Sequence, residues 1–147
     1  WPDTVTTVDP NKVYRVRQPA AHPVYEHRRV TLFRSLLTER TGEEERKELG
    51  QLMYQSHASY SACGLGSEGT DAIVKLVQSE GPANGLYGAR ITGGGSGGTV
   101  AVLGRRDARQ AISRVAARYA DATGYRPHIF EGSSAGAAQF GSRTAAI

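Results

Sequence analysis

Cysteine is all but missing from this chain: Cys63 stands alone, so no internal disulfide framework can form. Lysine is scarce as well, with only Lys12, Lys47 and Lys75, so arginine carries most of the net charge of +4. No stretch approaches the roughly 18 apolar residues that a membrane-spanning helix needs, and no secretory leader is visible. A lone thiol and no membrane segment together predict a reducing, cytoplasmic setting. The four histidines, His22, His27, His57 and His128, are dispersed, with neither an H-E-x-x-H run nor a paired C-x-x-C, so no metal cage is expected. Trp1 stands where Met would open a natural chain, which suggests a trimmed start.

What is present is ordinary globular material: 147 residues, 39% apolar and 22% charged, enough for one domain with a real core. Residues 1–11 read as a leader. Lys12 to Arg17 alternates Val13, Arg15 and Arg17 against Tyr14 and Val16 and predicts a strand. His22 to Leu37 carries Val30, Phe33 and Leu37 at helical spacing. Thr41 with Glu44 predicts a capping box for a second helix reaching about His57, and Ser67 predicts the cap of a third, bearing Ile73, Leu76 and Val77 up to Gly81-Pro82. Leu86 to Thr92 and Thr99 to Leu103 alternate as strands. Asp107 with Gln110 predicts a fourth helix ending at Gly124, and Pro127 to Phe130 a last strand. That order predicts an α+β, ferredoxin-like split βαβ fold, a four-stranded antiparallel sheet with helices on one face. The scattered arginines, among them Arg105, Arg106, Arg109, Arg114 and Arg118, read first as solvated helix surface.

Three motifs mimic chemistry. Gly64-Leu-Gly-Ser-Glu-Gly69 has the G-x-G-x-x-G spacing without the preceding strand, and Gly93, Gly95 and Gly98 have it without the following helix, so neither is a dinucleotide fingerprint. Gly132-Ser-Ser134-Ala-Gly136 fits a nucleophile elbow, yet no Asp, Glu or His follows Ser134 to complete a triad.

The strongest local signal is Gly93-Gly-Gly-Ser-Gly-Gly98, five glycines in six positions between two strands. Such a loop admits positive φ and lets an anion approach its N–H groups, although a merely supple hairpin tip has the same composition. In its setting, Gly88-Ala-Arg-Ile-Thr-Gly-Gly-Gly-Ser-Gly-Gly-Thr99, the loop resembles the third motif of GHMP-superfamily kinases. Leu49-Gly-Gln-Leu-Met-Tyr-Gln-Ser-His57 followed by Cys63-Gly-Leu-Gly-Ser-Glu-Gly-Thr-Asp71 resembles the helix, link and helix that precede it in galactokinases. Tyr14-Arg-Val-Arg17 and His22-Pro-Val-Tyr-Glu-His-Arg-Arg-Val30 are similar to the opening of that family's carboxyl-terminal domain. Phe130-Glu-Gly-Ser-Ser-Ala-Gly136 is similar to the ending of L-arabinokinase-like members.

The resemblance implies the carboxyl-terminal half of a sugar 1-kinase that uses ATP and Mg2+ on a monosaccharide. Its amino-terminal lobe, with the Gly-Leu-Ser-Ser-Ser type phosphate loop, is not found in the sequence. No catalytic residue and no metal ligand is then expected in this half. The cleft-facing candidates are Gly93, Gly94, Gly95, Ser96, Gly97 and Gly98, with Arg90, Ser67 and His57 as further cleft residues, and the half alone is expected to be inactive. Two other readings share the ferredoxin-like plan. One is a nucleic-acid-binding module, against which stands the lack of an aromatic platform on the strands beyond Tyr87. The other is a non-catalytic domain that binds a protein partner.

Overall fold

The computed structural model describes residues 7–38, 42–95, 97–132, 136, 139 and 141. Helix α1 runs Arg17–Thr38, α2 Glu43–Ala62 and α3 Glu68–Glu80; a 3-10 turn at Pro82–Asn84 leads into strand β1, Leu86–Thr92, then β2, Thr99–Gly104, and α4, Arg109–Thr123.

Each boundary has a local cause. Glu43, Glu44 and Glu45 fill the first turn of α2, where carboxylates offset the positive end of the helix dipole. Ser67 caps α3 as expected, its hydroxyl accepting the Thr70 N–H. Gly124 closes α4 in the left-handed conformation that glycine adopts without penalty. The two strands form an antiparallel hairpin from Leu86 opposite Gly104 to Thr92 opposite Thr99, with an irregularity between Leu86 and Gly88.

Strand β1 is the centre of the molecule, and α2 and α3 both pack along it. Val74 and Val77 of α3, Leu86 and Ala89 of β1, and Ala108, Ala111 and Val115 at α4 form one core cluster; Leu36, Leu49 and Leu52 form a second between α1 and α2. The helix α2 comes down onto β1 at a glycine pair. A Cβ on Gly50 would stand 1.9 Å from the Tyr87 carbonyl oxygen, and one on Gly88 would stand 2.4 Å from the Gly50 Cα. Main chain therefore touches main chain, a closeness no other residue type permits.

Several expectations are corrected. The sheet has two strands among the described residues, not four. Lys12 to Val16 forms no ladder; the segment folds on itself, with the Asp9 carboxylate accepting the Asn11 N–H and the Tyr14 hydroxyl accepting the Asp9 N–H, and Arg17 already begins α1. That helix starts a turn before His22 and carries Pro23 inside it. Pro127 to Phe130 also lacks strand pairing; it lies along the flank of β2 and α4, held by an Arg109–Glu131 ion pair at 3.2 Å, with Phe130 exposed. Asp107 does not cap α4, because its carboxylate turns back to Arg105 at 3.1 Å and Ala108 takes the cap position. The N-cap of α2 is Gly42; Thr41, the expected capping-box residue, lies outside the described residues. So do Ser96 and the serine of the elbow-like motif, Ser134.

Candidate functional site

The site is assembled from two glycine-rich segments far apart in sequence. At the end of α2 the chain turns through Gly64 and passes Leu65 and Gly66 to the Ser67 cap. The loop between β1 and β2 comes down on this link. A Cβ on Gly95 would meet the Leu65 Cβ and carbonyl oxygen at 2.9 Å and the Tyr60 ring at 3.2 Å, and Gly95 holds φ +94, so both space and backbone require glycine there. On the returning arm, the position of a Gly97 Cβ lies 3.7 Å from the Ser67 hydroxyl.

Tyr60 fastens the loop. Its hydroxyl donates to the Gly93 carbonyl at 3.1 Å, and its ring packs against His22 of α1, whose Nδ1 is 2.8 Å from the Ser59 hydroxyl. The loop is bare main chain, turning at Gly93 and Gly94 and holding positive φ at Gly93, Gly95, Gly97 and Gly98. Gly93, Gly94 and Gly98 are exposed. The result is a bare main-chain surface held from beneath.

Beneath the link, His57 is only 7% exposed. Its Nδ1 accepts the Ile91 N–H at 3.2 Å, which leaves Nε2 to carry the proton and face Asp71 at the same distance. Burial pushes the imidazole below its usual pKa, only partly opposed by the Asp71 carboxylate, so the ring is neutral near pH 7. Asp71 also accepts the Ser61 hydroxyl. His57 thus ties α2 to β1 and α3, with both ring nitrogens engaged inside the chain. Arg90 points elsewhere: its Nη1 binds Glu26 of α1 at 3.0 Å and its Nε the Ile91 carbonyl. Glu26 also receives Arg29 at 2.6 Å and the Ser56 hydroxyl. Partial burial works to raise the Glu26 pKa, but hydrogen bonds from Ser56 and Arg29 and the charge of Arg90 outweigh it and hold the carboxyl below its usual range.

The structure therefore brings Gly93, Gly95, Gly97 and Ser67 into one surface, sets His57 behind it, and sends Arg90 to a different neighbourhood. Tyr60 and Asp71 escaped the reading of the sequence; an aromatic residue directly before a glycine link was the available sign of the first. Among the described residues no three His, Cys, Asp or Glu side chains converge as a metal site, and no helix is long and apolar enough to cross a membrane.

The described residues thus form an α+β domain whose glycine hairpin is braced on the link between two helices. The chain belongs to the GHMP kinase family: the model for the C-terminal domain of these kinases matches residues 33–121, which include the link, the loop, α2, α3 and most of α4. It is 54% identical to an L-arabinokinase of Arabidopsis thaliana, over 95% of this chain and 14% of that protein. It is 30% identical to a galactokinase of Clostridium acetobutylicum, over 83% of this chain and 29% of that one, and 31% identical to a galactokinase of Thermosipho africanus, over 60% and 25%. The chain thus spans less than a third of the length of these relatives.

Proposed function

We propose that the chain is the carboxyl-terminal half of an ATP-dependent sugar 1-kinase, inactive by itself, whose glycine loop closes the phosphate side of a cleft shared with an amino-terminal lobe. The observation that carries this reading is the loop itself, bare glycine main chain with positive φ held in place by a scaffold of Tyr60 and Leu65. Phosphoryl transfer requires little beyond alignment and charge stabilisation, and preorganised N–H donors supply the second. The C1 hydroxyl oxygen bonds to the γ-phosphorus while the bond from phosphorus to the β,γ-bridging oxygen breaks. That electron pair leaves with ADP, and the hydroxyl proton passes to a base in the other lobe.

In this scheme the loop glycines face the transferring group, Ser96 is assigned with them from its place in the sequence, and Ser67 borders the same surface. His57 acts from behind as a support, and Arg90 contributes field only. In this scheme the magnesium ligands are assigned to the other lobe, and no step on this chain is routed through the metal. The free thiol of Cys63, donating to the Ser59 carbonyl, suits the cytoplasm.

Galactose and L-arabinose are the substrates to try first, on the strength of the relatives' names. A nucleic-acid platform gains no support, because Tyr87 on β1 is buried with its hydroxyl bound to Glu43. The test compares sugar-dependent ADP release by the isolated chain with release after the amino-terminal lobe is joined to it. The isolated chain should give none, the joined protein should turn over, and Gly95→Val in it should lower kcat by about 100-fold, the scale of losing a preorganised donor. Normal turnover in that variant would remove the loop from the reaction.

A further inference from the structure

Between α1 and α2, in a neighbourhood the glycine loop does not share, lies a cavity of about 340 Å3. Its wall is apolar: Val30, Phe33 and Leu37 from α1 face Leu52 and Met53 from α2. Val30 and Leu37 are each 56% exposed, so this wall presents uncovered hydrocarbon to water. The rim is cationic. Arg29 and Arg90 share the single carboxylate of Glu26, while Arg34, also on the lining, has no ion-pair partner among the described residues. Three guanidinium groups and one carboxylate leave an excess of two positive charges beside a hydrocarbon floor.

The size falls within the range of small-molecule sites, which are typically apolar pockets with a few polar groups fixing orientation. Arg34 is exposed at the rim, so a carboxylate head can reach it while a hydrocarbon body covers the floor, and a sugar would leave that floor unmatched. The geometry points to a binding site for a small amphipathic carboxylate, with its hydrocarbon body against Phe33 and Met53 and its carboxylate on Arg34. A guanidinium meets a carboxylate through two parallel N–H donors, and the planar fork makes that pairing directional. Arg29 and Arg90 remain on Glu26 and add field from the side. This site is separate from the proposed phosphate surface and stands whether or not the kinase reading does.

Octanoate is the probe, titrated calorimetrically into the 147-residue chain and into the protein with its amino-terminal lobe joined. Its neutral isostere octanamide and the cation octylamine serve as comparisons. Octanoate is expected to saturate one site in both proteins, at least tenfold more tightly than octanamide, with octylamine giving no saturation. Arg34→Gln should bring octanoate down to the octanamide level. Val30→Asp, at an exposed position that leaves the core intact, should abolish binding by setting a like charge beside the ligand; circular dichroism confirms that both variants fold. Equal affinity for octanoate and octanamide would show an indifferent apolar patch and overturn the proposal, as would unchanged binding in Arg34→Gln. Binding by the isolated chain that vanishes in the joined protein would mean that the lobe fills the cavity. Concentration-dependent dimers unaffected by octanoate would mean that a second copy fills it. Either result refutes the carboxylate site.

Discussion

Gly50→Ala offers the sharpest test of how this fold is held. In an ordinary helix interior the change gains about 1 kcal/mol, because alanine is the better helix former. Here the new methyl would sit 1.9 Å from the Tyr87 carbonyl oxygen and 2.4 Å from its carbon, and ordinary contact begins near 3.4 Å. Helix α2 must therefore lift from β1 by roughly 1.5 Å. A radial gap of 0.5–1 Å already forfeits about a quarter to a half of a dispersion contact, and the face that would lift carries Leu49, Met53 and His57. The obstruction is backbone, which cannot swing aside as a side chain can, so the overpacking cost belongs at or above the upper end of about 1–3 kcal/mol. After subtracting the helix gain, the net loss is about 2 kcal/mol or more, a fall in Tm of roughly 4–8 °C at this chain length. Gly69→Ala is the matched comparison. Its methyl would meet only the Tyr119 hydroxyl at 2.8 Å, the far end of a side chain that can rotate away, so its Tm should stay within about 2 °C of the parent. Thermal unfolding followed by circular dichroism reads both. A Gly50→Ala protein as stable as the parent, or equal losses in the two variants, would refute the backbone-crossing argument.

Two further outcomes follow from the site. Burial holds the His57 pKa below its ordinary 6.5, so the unfolded chain takes up the proton first as the pH falls. The stability due to the neutral ring is complete above about pH 6.5 and declines below it. His57→Asn keeps an acceptor near the Ile91 N–H but has nothing to titrate. It should cost about 1–2 kcal/mol at pH 7 and flatten the fall in urea midpoint between about pH 7 and pH 5; parallel curves for the two proteins would contradict the assignment. Tyr60→Phe removes the hydroxyl that holds the Gly93 carbonyl, a loss of about 1 kcal/mol. Backbone NMR order parameters at Gly93 to Gly95 should fall while those of the core change little, and unchanged loop order would show that Tyr60 does not anchor it.

The parts legible in the sequence were those governed by neighbours along the chain. Alternation on both sides of a glycine run marked the hairpin from Leu86 to Gly104, and Ser67 before a helical stripe marked the start of α3. Alternation misled at Lys12 to Arg17, where a turn built by Asp9 and Tyr14 satisfies the backbone locally and prolines at 19 and 23 disguised the early start of α1. Pairings across long separations left no trace to read: Arg90 with Glu26, Tyr60 with Gly93 and His57 with Ile91 join residues 64, 33 and 34 positions apart. The histidine was visible as a candidate, but its role as a strut between three elements depends on burial that composition does not reveal.

Helix α2 and strand β1 are riveted at intervals along their length: Glu43 to the Tyr87 hydroxyl, Gly50 to Gly88, His57 to Ile91 and Tyr60 to Gly93. Such rivets make the two rods a ruler. One residue inserted or deleted between Gly50 and His57 turns everything beyond it by about 100° and takes the later rivets off their holes. The spacing of this stretch is therefore as much a part of the site as any side chain, and length variation in evolution or design has to be accommodated elsewhere, in the connections between helices.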